Sequence, residues 1–298
     1  MKKILVLTDF SKRAEQATKL ALKIAKKSNS DVQLYHAFYV PQLLPAITEA
    51  SPYYNDYRLI EEENLNRLQN FGNSVMAKMG EKKTEDKYPH LNYFNEPGTV
   101  GGNILDILHS KKNIWLIVMG NKSEKEGLLN DFIFGSNTYE VITRSDVPVL
   151  LVSEKSELHS IKTIAFASEL DEDDYIALHN LVTFATFFDA KIIVTHVCAH
   201  KLSIDEKVNH IDIFNKFVKK VNYSNISYED IRGEDVSSAL AKFSKKEHID
   251  MLAMQHKKHP FFERLFHHSI TKDMLKYQTV PLLVLPSDRV LKSALKLH

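Results

Sequence analysis

The residues best suited to binding a small ligand fall into three segments, each close behind an apolar run of strand length: 8–11, 36–38 and 120–138. A glycine after a strand lets the backbone approach a ligand closely, and Gly120 holds such a position. The pair Gly135 and Ser136 precedes a predicted helix, where free N–H groups, a hydroxyl and the helix dipole can meet a phosphate. Asp9, at the end of the first strand, could accept hydrogen bonds from ribose hydroxyls or hold a metal-bound water. Together these residue types suit a nucleotide.

The elements that must position these residues are strands that alternate with helices. The apolar runs 4–8, 32–38 and 114–120 have the length of buried strands. Between the first two runs, apolar residues recur on one helical face, and Ser11 is a natural N-cap for that helix. The stretch 137–144 is typical of a short helix. This alternation implies a parallel sheet covered on both faces, and such sheets bind ligands at the carboxyl ends of their strands.

The chain also repeats itself. Four blocks of the first half recur in the same order in the second: 2–10 at 162–170, 31–37 at 191–197, 100–108 at 236–244, and 147–152 at 280–285. We therefore predict an α/β protein of two tandem domains, each a five-stranded parallel-type sheet with helices on both faces. The predicted bounds are 1–154 and 159–287, with a C-terminal tail at 288–298.

The two copies differ in length between their second strand and the next matching block. The offset between matching blocks falls there from 160 to 136, so the first copy holds about 24 extra residues, between about Phe38 and Phe94. This insertion contains the Pro- and Tyr-rich stretch 41–57 and a polar helix pattern over about 56–83. A surface excursion is the favoured interpretation of 41–57, and a lid or a partner-docking loop is the alternative.

Composition narrows the class of protein. Lys and Arg total 39 against 38 for Asp and Glu, so bulk charge favours neither nucleic acid nor membrane surfaces. Cys198 is the single cysteine, which rules out an internal disulfide and fits a reducing compartment. Asp9 interrupts the first apolar run, which we interpret as a strand and not as a secretory signal. No stretch approaches eighteen apolar residues. We expect a cytoplasmic protein without membrane or nucleic-acid partners.

Both copies resemble the universal stress protein family, so the resemblance covers nearly the whole chain. The resembling segments of the first copy are ILVLTDFS, LYHAF, LIVMG, FGSNTYEVI and VPVLLV. The resemblance implies a five-stranded fold of the adenine-nucleotide alpha-hydrolase type, a cytoplasmic location, a role in stress response and dimerisation through the last strand. Some members of the family bind ATP, so the resemblance also suggests ATP as a ligand.

The resemblance assigns a set of nucleotide-contacting residues to the first copy. ATP-binding members share the loop G-x2-G-x9-G-(S/T), in which Gly120 matches the first glycine and Gly135-Ser136 the last pair. Asp9 matches an aspartate near the ribose, and Ala37 a position whose backbone meets adenine. The predicted set is Thr8, Asp9, Ala37, Met119, Gly120, Lys122, Ser123, Gly135, Ser136 and Asn137. No catalytic residue and no metal ligand is assigned.

This loop departs from the family pattern in two ways. Ser123 replaces the middle glycine, and eleven residues separate it from Gly135. The inserted residues include Glu124, Glu126 and Asp131, which would oppose a triphosphate unless a divalent cation such as Mg²⁺ intervenes. The alternative interpretation is that the glycines only shape a loop.

The second copy keeps the spacing of the loop without its glycines, because Gln255, Lys258, His268 and Ser269 stand at the corresponding positions. We therefore predict that this copy does not bind ATP in the manner of the family. Its loop 255–269 is rich in histidine. We favour a solvated loop here, and a weak anion site and a zinc site are the alternatives.

Three further residues receive a structural interpretation. His36 and His196 end the second strand of each copy, and we interpret both as structural because they recur where the nucleotide loop is lost. Cys198 is interpreted as an inert thiol, because no activating partner is evident in the sequence.

Three functional hypotheses remain. The first is a stress-response or signalling protein that binds ATP or another adenine nucleotide in its first domain only, with the copies paired through 147–152 and 280–285 as an intramolecular pseudo-dimer. An unknown protein partner and a homodimer of such chains are compatible with it. The second is a protein-interaction module without a nucleotide. The third, and least favoured, is a slow ATPase, for which Asp9 is the one candidate carboxylate.

Overall fold

The computed structural model describes residues 1–40, 54–80, 89–121, 136–156, 160–256 and 280–286. The elements of the first half are β1 (Lys3–Leu7), α1 (Lys12–Ser28), β2 (Asp31–Phe38), α2 (Tyr54–Lys78), β3 (Leu91–Pro97), α3 (Val100–Ser110), β4 (Ile114–Gly120), α4 (Ser136–Arg144) and β5 (Val149–Val152). Those of the second half are β6 (Thr163–Ala167), α5 (Glu172–Thr186), β7 (Lys191–Cys198), α6 (Ile204–Val221), β8 (Ile226–Arg232), α7 (Val236–Lys246), β9 (Met251–Gln255) and β10 (Leu282–Leu285).

The ten strands form one sheet in the order β3-β2-β1-β4-β5-β10-β9-β6-β7-β8. Neighbouring strands are parallel within each half, and the halves meet where β5 and β10 pair antiparallel. The repeat extends to register, since Lys3 pairs with Asp31 in the first half and Thr163 with Lys191 in the second. The predicted fold class is confirmed.

Helix α1 shows why the sequence folds in this way locally. Ser11 accepts a hydrogen bond from the N–H of Ala14, as predicted for an N-cap, and the face that carries the alanines is buried. The helix ends at Asn29, which adopts a left-handed conformation with φ 49°. Lys26 and Lys27 in its last turn complement the helix dipole.

Alternation along each strand divides the apolar core between the two faces of the sheet. In β1, Ile4 and Val6 join the cluster on one face, while Leu5 and Leu7 join the cluster on the other. Both clusters contain residues of both halves, so apolar packing is continuous across the β5–β10 pair.

Part of the predicted insertion is visible as α2. This helix has 25 residues, whereas α6 at the same place in the second half has 18. Residues 41–53 and 81–88 lie outside the described part of the chain, so the hypothesis of a docking loop at 41–57 is not addressed. Among the described helices, none has the length and apolar character needed to cross a membrane.

Candidate functional site

Strands β1, β2 and β4 end at one edge of the sheet, which we call the first carboxyl edge. Leu7 pairs in register with Tyr35 on one side and with Met119 on the other. The residues that follow these three positions therefore lie side by side. In this way the sheet brings together five residues of the predicted set: Thr8, Asp9, Ala37, Met119 and Gly120.

Asp9 presents a charged carboxylate at this edge. Its Oδ1 accepts hydrogen bonds from the backbone N–H of Ser11 at 3.1 Å and from the Ser11 hydroxyl, and its Oδ2 accepts one from Arg13 at 2.8 Å. Burial raises the pKa of the Asp9 carboxyl, but these donors outweigh it and hold the pKa below its ordinary value of 3.8. Because the side chain is 53% exposed, the ionised carboxylate remains accessible.

Arg13 is a residue that the sequence analysis missed. A Cβ built on Gly120 would lie 2.8 Å from Arg13 Cγ and 3.0 Å from the backbone nitrogen of Ala14. Gly120 is thus required by the packing of α1 against β4, whether or not a ligand binds. The available signal was the spacing of Asp9 and Arg13, which stand four residues apart around the start of a helix.

His36 has the structural role that was predicted for it. Its Nδ1 donates to the carbonyl oxygen of Thr8 at 2.8 Å, and burial lowers the pKa of the imidazole, which is therefore neutral at pH 7. His196 repeats this bond in the second half, to the carbonyl oxygen of Ser168 at 2.9 Å. Phe10 adopts a φ of 64° between these elements, and its ring lies 4.4 Å from that of His36. These contacts belong to the frame of the site.

The remaining predicted residues differ in what they can offer. The Met119 side chain is buried in the core and Ala37 is packed against it, so each would meet a ligand through its backbone. Asn137 is exposed in the first turn of α4, whose backbone begins at Ser136. Lys122, Ser123 and Gly135 lie outside the described residues, as do Glu124, Glu126 and Asp131. The prediction for the glycine loop therefore stays a prediction.

The corresponding edge of the second half is organised around a buried carboxylate. Asp174 is 1% exposed, and its Oδ2 accepts hydrogen bonds from the Ser168 hydroxyl at 2.7 Å, the N–H of Glu169 at 2.7 Å and the N–H of Leu170 at 3.0 Å. The residue at this position in the first half is Ala14. A ligand anion at this loop would meet a buried negative charge whose oxygen already accepts from the loop N–H groups.

The strand end that replaces Gly120 in the second half is filled by larger side chains. Gln255 closes β9 and is 5% exposed, and its Oε1 has no hydrogen-bond partner within the described structure. The N–H of the buried His256 donates to the Leu285 carbonyl at 2.8 Å. Lys258, His268 and Ser269 lie outside the described residues, so the hypotheses of zinc and anion binding in loop 255–269 are not addressed.

Comparisons with known proteins agree with this architecture. A model of the universal stress protein family matches residues 1–153. No curated protein matches the chain in sequence.

Several solved structures cover the chain almost completely, and three of them illustrate the likeness. A universal stress protein from Archaeoglobus fulgidus DSM 4304 has a TM-score of 0.61 at 13% identity, covering 95% of this chain and 98% of its own. A candidate universal stress protein from Pseudomonas aeruginosa UCBPP-PA14 has a TM-score of 0.55 at 12% identity, covering 100% and 97%. The cytoplasmic domain of a prokaryotic cation chloride cotransporter has a TM-score of 0.50 at 10% identity, covering 100% and 99%. At these identities the likeness concerns the fold alone.

Proposed function

The chain belongs to the universal stress protein family, and on that premise we propose that it acts in stress response or signalling by binding an adenine nucleotide in its first half only. ATP is the leading candidate, and Mg²⁺ would bind together with it. The proposal includes a cytoplasmic location, the division into domains 1–154 and 159–287, and their association as a pseudo-dimer. The antiparallel pairing of β5 with β10 supports that association.

One observation carries the restriction to the first half, namely the contrast between two carboxylates at equivalent edges. Asp9 is ionised and half exposed, so its oxygens can accept hydrogen bonds from a ligand as well as from Ser11 and Arg13. Asp174 is buried, and one of its oxygens accepts two N–H groups of the loop after β6. A ribose hydroxyl therefore finds an accessible acceptor in Asp9, whereas the loop N–H groups that could hold a phosphate at the second edge already donate to Asp174.

The roles of the individual residues combine their chemistry with what the family resemblance implies. The Asp9 carboxylate would accept hydrogen bonds from the ribose hydroxyls, and the backbone at Ala37 and Met119 would contact the base. The first turn of α4, with Ser136 and Asn137, would offer N–H groups and the positive end of the helix dipole to a phosphate.

Isothermal titration calorimetry with ATP, ADP and AMP, with and without Mg²⁺, tests the proposal. We expect one nucleotide per chain and an affinity loss of about tenfold or more in Asp9→Ala, since a hydrogen bond to a charged group contributes roughly 1.5–3 kcal/mol. Glu169→Ala is the matched control, because Glu169 holds the equivalent position in the second half and should leave the affinity unchanged. Two nucleotides per chain, or equal effects of both substitutions, would contradict the proposal.

A second candidate function is a protein-interaction module without a nucleotide. The observation in its favour is that both oxygens of Asp9 already accept hydrogen bonds within the protein, from Ser11 and from Arg13. No heat of binding with any of the three nucleotides, in protein shown by circular dichroism to be folded, would favour this candidate over the first.

A further inference from the structure

Three side chains of the second half converge at the carboxyl ends of β7 and β8, beneath α6. Cys198 is the last residue of β7, Asp230 lies in β8 and His210 lies in α6. Each offers one ligand atom, and these atoms all lie within 4.8 Å of one another. We call this group the Cys-His-Asp cluster.

The contacts within the cluster centre on one oxygen atom. Asp230 Oδ1 accepts a hydrogen bond from His210 Nδ1 at 2.9 Å and one from the Tyr228 hydroxyl at 2.5 Å, and Cys198 Sγ lies 3.7 Å from it. The cysteine is buried, and the histidine and aspartate side chains are only 16% and 20% exposed. A thiol, an imidazole and a carboxylate are thus held together where water has little access.

The repeated fold does not itself require this cluster. Phe38 ends β2 where Cys198 ends β7, and Asn95 pairs with His36 as Asp230 pairs with His196. In the first half Phe38 and Asn95 hold these two positions, and the Asn95 amide donates to the backbone carbonyl of Glu61 at 2.8 Å, so neither position carries an ionisable group there. At these two positions, side chains that could bind a metal occur only in the second half.

We propose that Cys198, His210 and Asp230 bind a zinc(II) ion, with a water molecule as the fourth ligand. Sulfur, nitrogen and oxygen ligands of this kind are those that zinc takes in proteins. For bonds of about 2.0–2.3 Å, tetrahedral zinc ligands lie roughly 3.3–3.6 Å apart. The sulfur–oxygen distance of 3.7 Å is close to that spacing, and the nitrogen–oxygen distance of 2.9 Å requires only a small outward shift.

Charge also fits a divalent cation. One thiolate and one carboxylate neutralise Zn²⁺, and a neutral imidazole completes the set of protein ligands, with its proton moved from Nδ1 to Nε2 so that Nδ1 can bind the ion. Without a metal, burial and the Asp230 carboxylate raise the pKa of the Cys198 thiol to about 11, so the thiol is protonated and a poor nucleophile. Binding of zinc would displace that proton to solvent, as metal sites with thiolate ligands do.

One member of the cluster borders a cavity. A cavity of about 460 Å³ borders Asp230, and it is lined by Lys207, Ile211, Phe214, Asn215, Tyr228 and Asp230. An ion could therefore approach the cluster from the side of Asp230, whereas Cys198 and His210 do not line the cavity. Three protein ligands with an open fourth position is an arrangement that zinc accepts.

Zinc titration of the full chain, stripped of metal with a chelator and monitored with a competing chromophoric chelator, tests the proposal. We expect one tightly bound Zn²⁺ in the wild type and an affinity loss of about 100-fold or more in Cys198→Ser and in His210→Ala. His179→Ala is the control, because this exposed histidine on α5 represents the weak binding expected of surface histidines. Zinc binding that is equally tight in the wild type and in Cys198→Ser would overturn the proposal.

Cobalt(II) gives a second measurement that does not depend on variants folding correctly. Co²⁺ bound to the wild-type chain should produce a thiolate-to-cobalt charge-transfer band in the near ultraviolet and the strong visible absorption of tetrahedral cobalt. If the folded wild type shows neither signal, the cluster is a hydrogen-bonded network without a metal and the proposal fails. Because the cluster lies in the second half, this result is independent of nucleotide binding at the first edge.

Discussion

The guanidinium of Arg13 donates a hydrogen bond to Asp9 Oδ2 at 2.8 Å, one turn apart at the start of α1. The same arginine side chain fills the space beside Gly120, where a Cβ would lie only 2.8 Å from its Cγ. One residue therefore connects the ends of β1 and β4. Together with Ser11 it lowers the pKa of Asp9, and together with the backbone of α1 it leaves no room for a side chain at 120.

The ionisation of Asp9 predicts a pH-dependent contribution to stability. Because the pKa of this carboxyl is lower in the folded than in the unfolded chain, where it is near 3.8, the contribution is complete above about pH 5. It is lost as the pH falls through the lower, folded value. We expect the difference in unfolding free energy between wild type and Asp9→Asn to shrink from pH 7 to pH 3, as measured by urea denaturation. A difference that grows toward acid would show that the carboxylate is not stabilised in the folded state.

Gly120→Ala should destabilise the fold, because the added methyl group meets the backbone of α1 as well as the Arg13 side chain. We expect a cost of roughly 1–3 kcal/mol, as for overpacking elsewhere, measured by chemical denaturation. Gly80→Ala is an informative comparison, since no atom of the described residues lies within 4 Å of its Cβ position and its φ of 71° opposes a side chain. That substitution should cost about 1–2 kcal/mol from backbone strain alone, so adding Arg13→Ala should relieve part of the cost at Gly120 and none at Gly80.

Asp174→Ala should be among the more costly polar substitutions in the second half. It leaves the N–H groups of Glu169 and Leu170 and the Ser168 hydroxyl without their buried acceptor. We expect a loss of about 2–4 kcal/mol in unfolding free energy. Asp171→Ala removes the N-cap of the same helix and should cost only about 1 kcal/mol. Equal costs would mean that the buried carboxylate contributes no more than an ordinary cap.

The β5–β10 pair should couple the two halves energetically. Leu150 and Leu283 are opposite each other in register, and both are fully buried. Each Leu→Ala change should cost about 2–5 kcal/mol, and a double-mutant cycle should give a coupling energy of roughly 0.5–3 kcal/mol. Leu283→Ala combined with Leu34→Ala, in the distant strand β2, is the control and should be additive. A cycle at 150 and 283 without coupling would argue that the two halves unfold independently.

Much of the frame of this protein was predictable because its signals are local. The apolar runs that became β1, β2 and β4, the N-cap at Ser11 and the recurrence of blocks at an offset of 160 need only the order of residues along the chain. The partners of Asp9 were partly predictable, since Ser11 and Arg13 lie within four residues of it.

What the sequence determined by itself was the succession of elements, their doubling, and which strand ends carry polar residues, because hydrophobic periodicity and capping are properties of neighbouring residues. Only the tertiary structure decided which distant side chains meet. The burial of Asp174 beneath the loop after β6 depends on the packing of α5, and Asp230 stands 32 residues from Cys198 and 20 from His210. Strand register and helix packing bring these groups together, and no spacing along the chain specifies either. Gly120 illustrates both kinds of information. The sequence indicated that a glycine after a strand could let a ligand approach, and the tertiary structure showed that the packing of Arg13 also requires a glycine there.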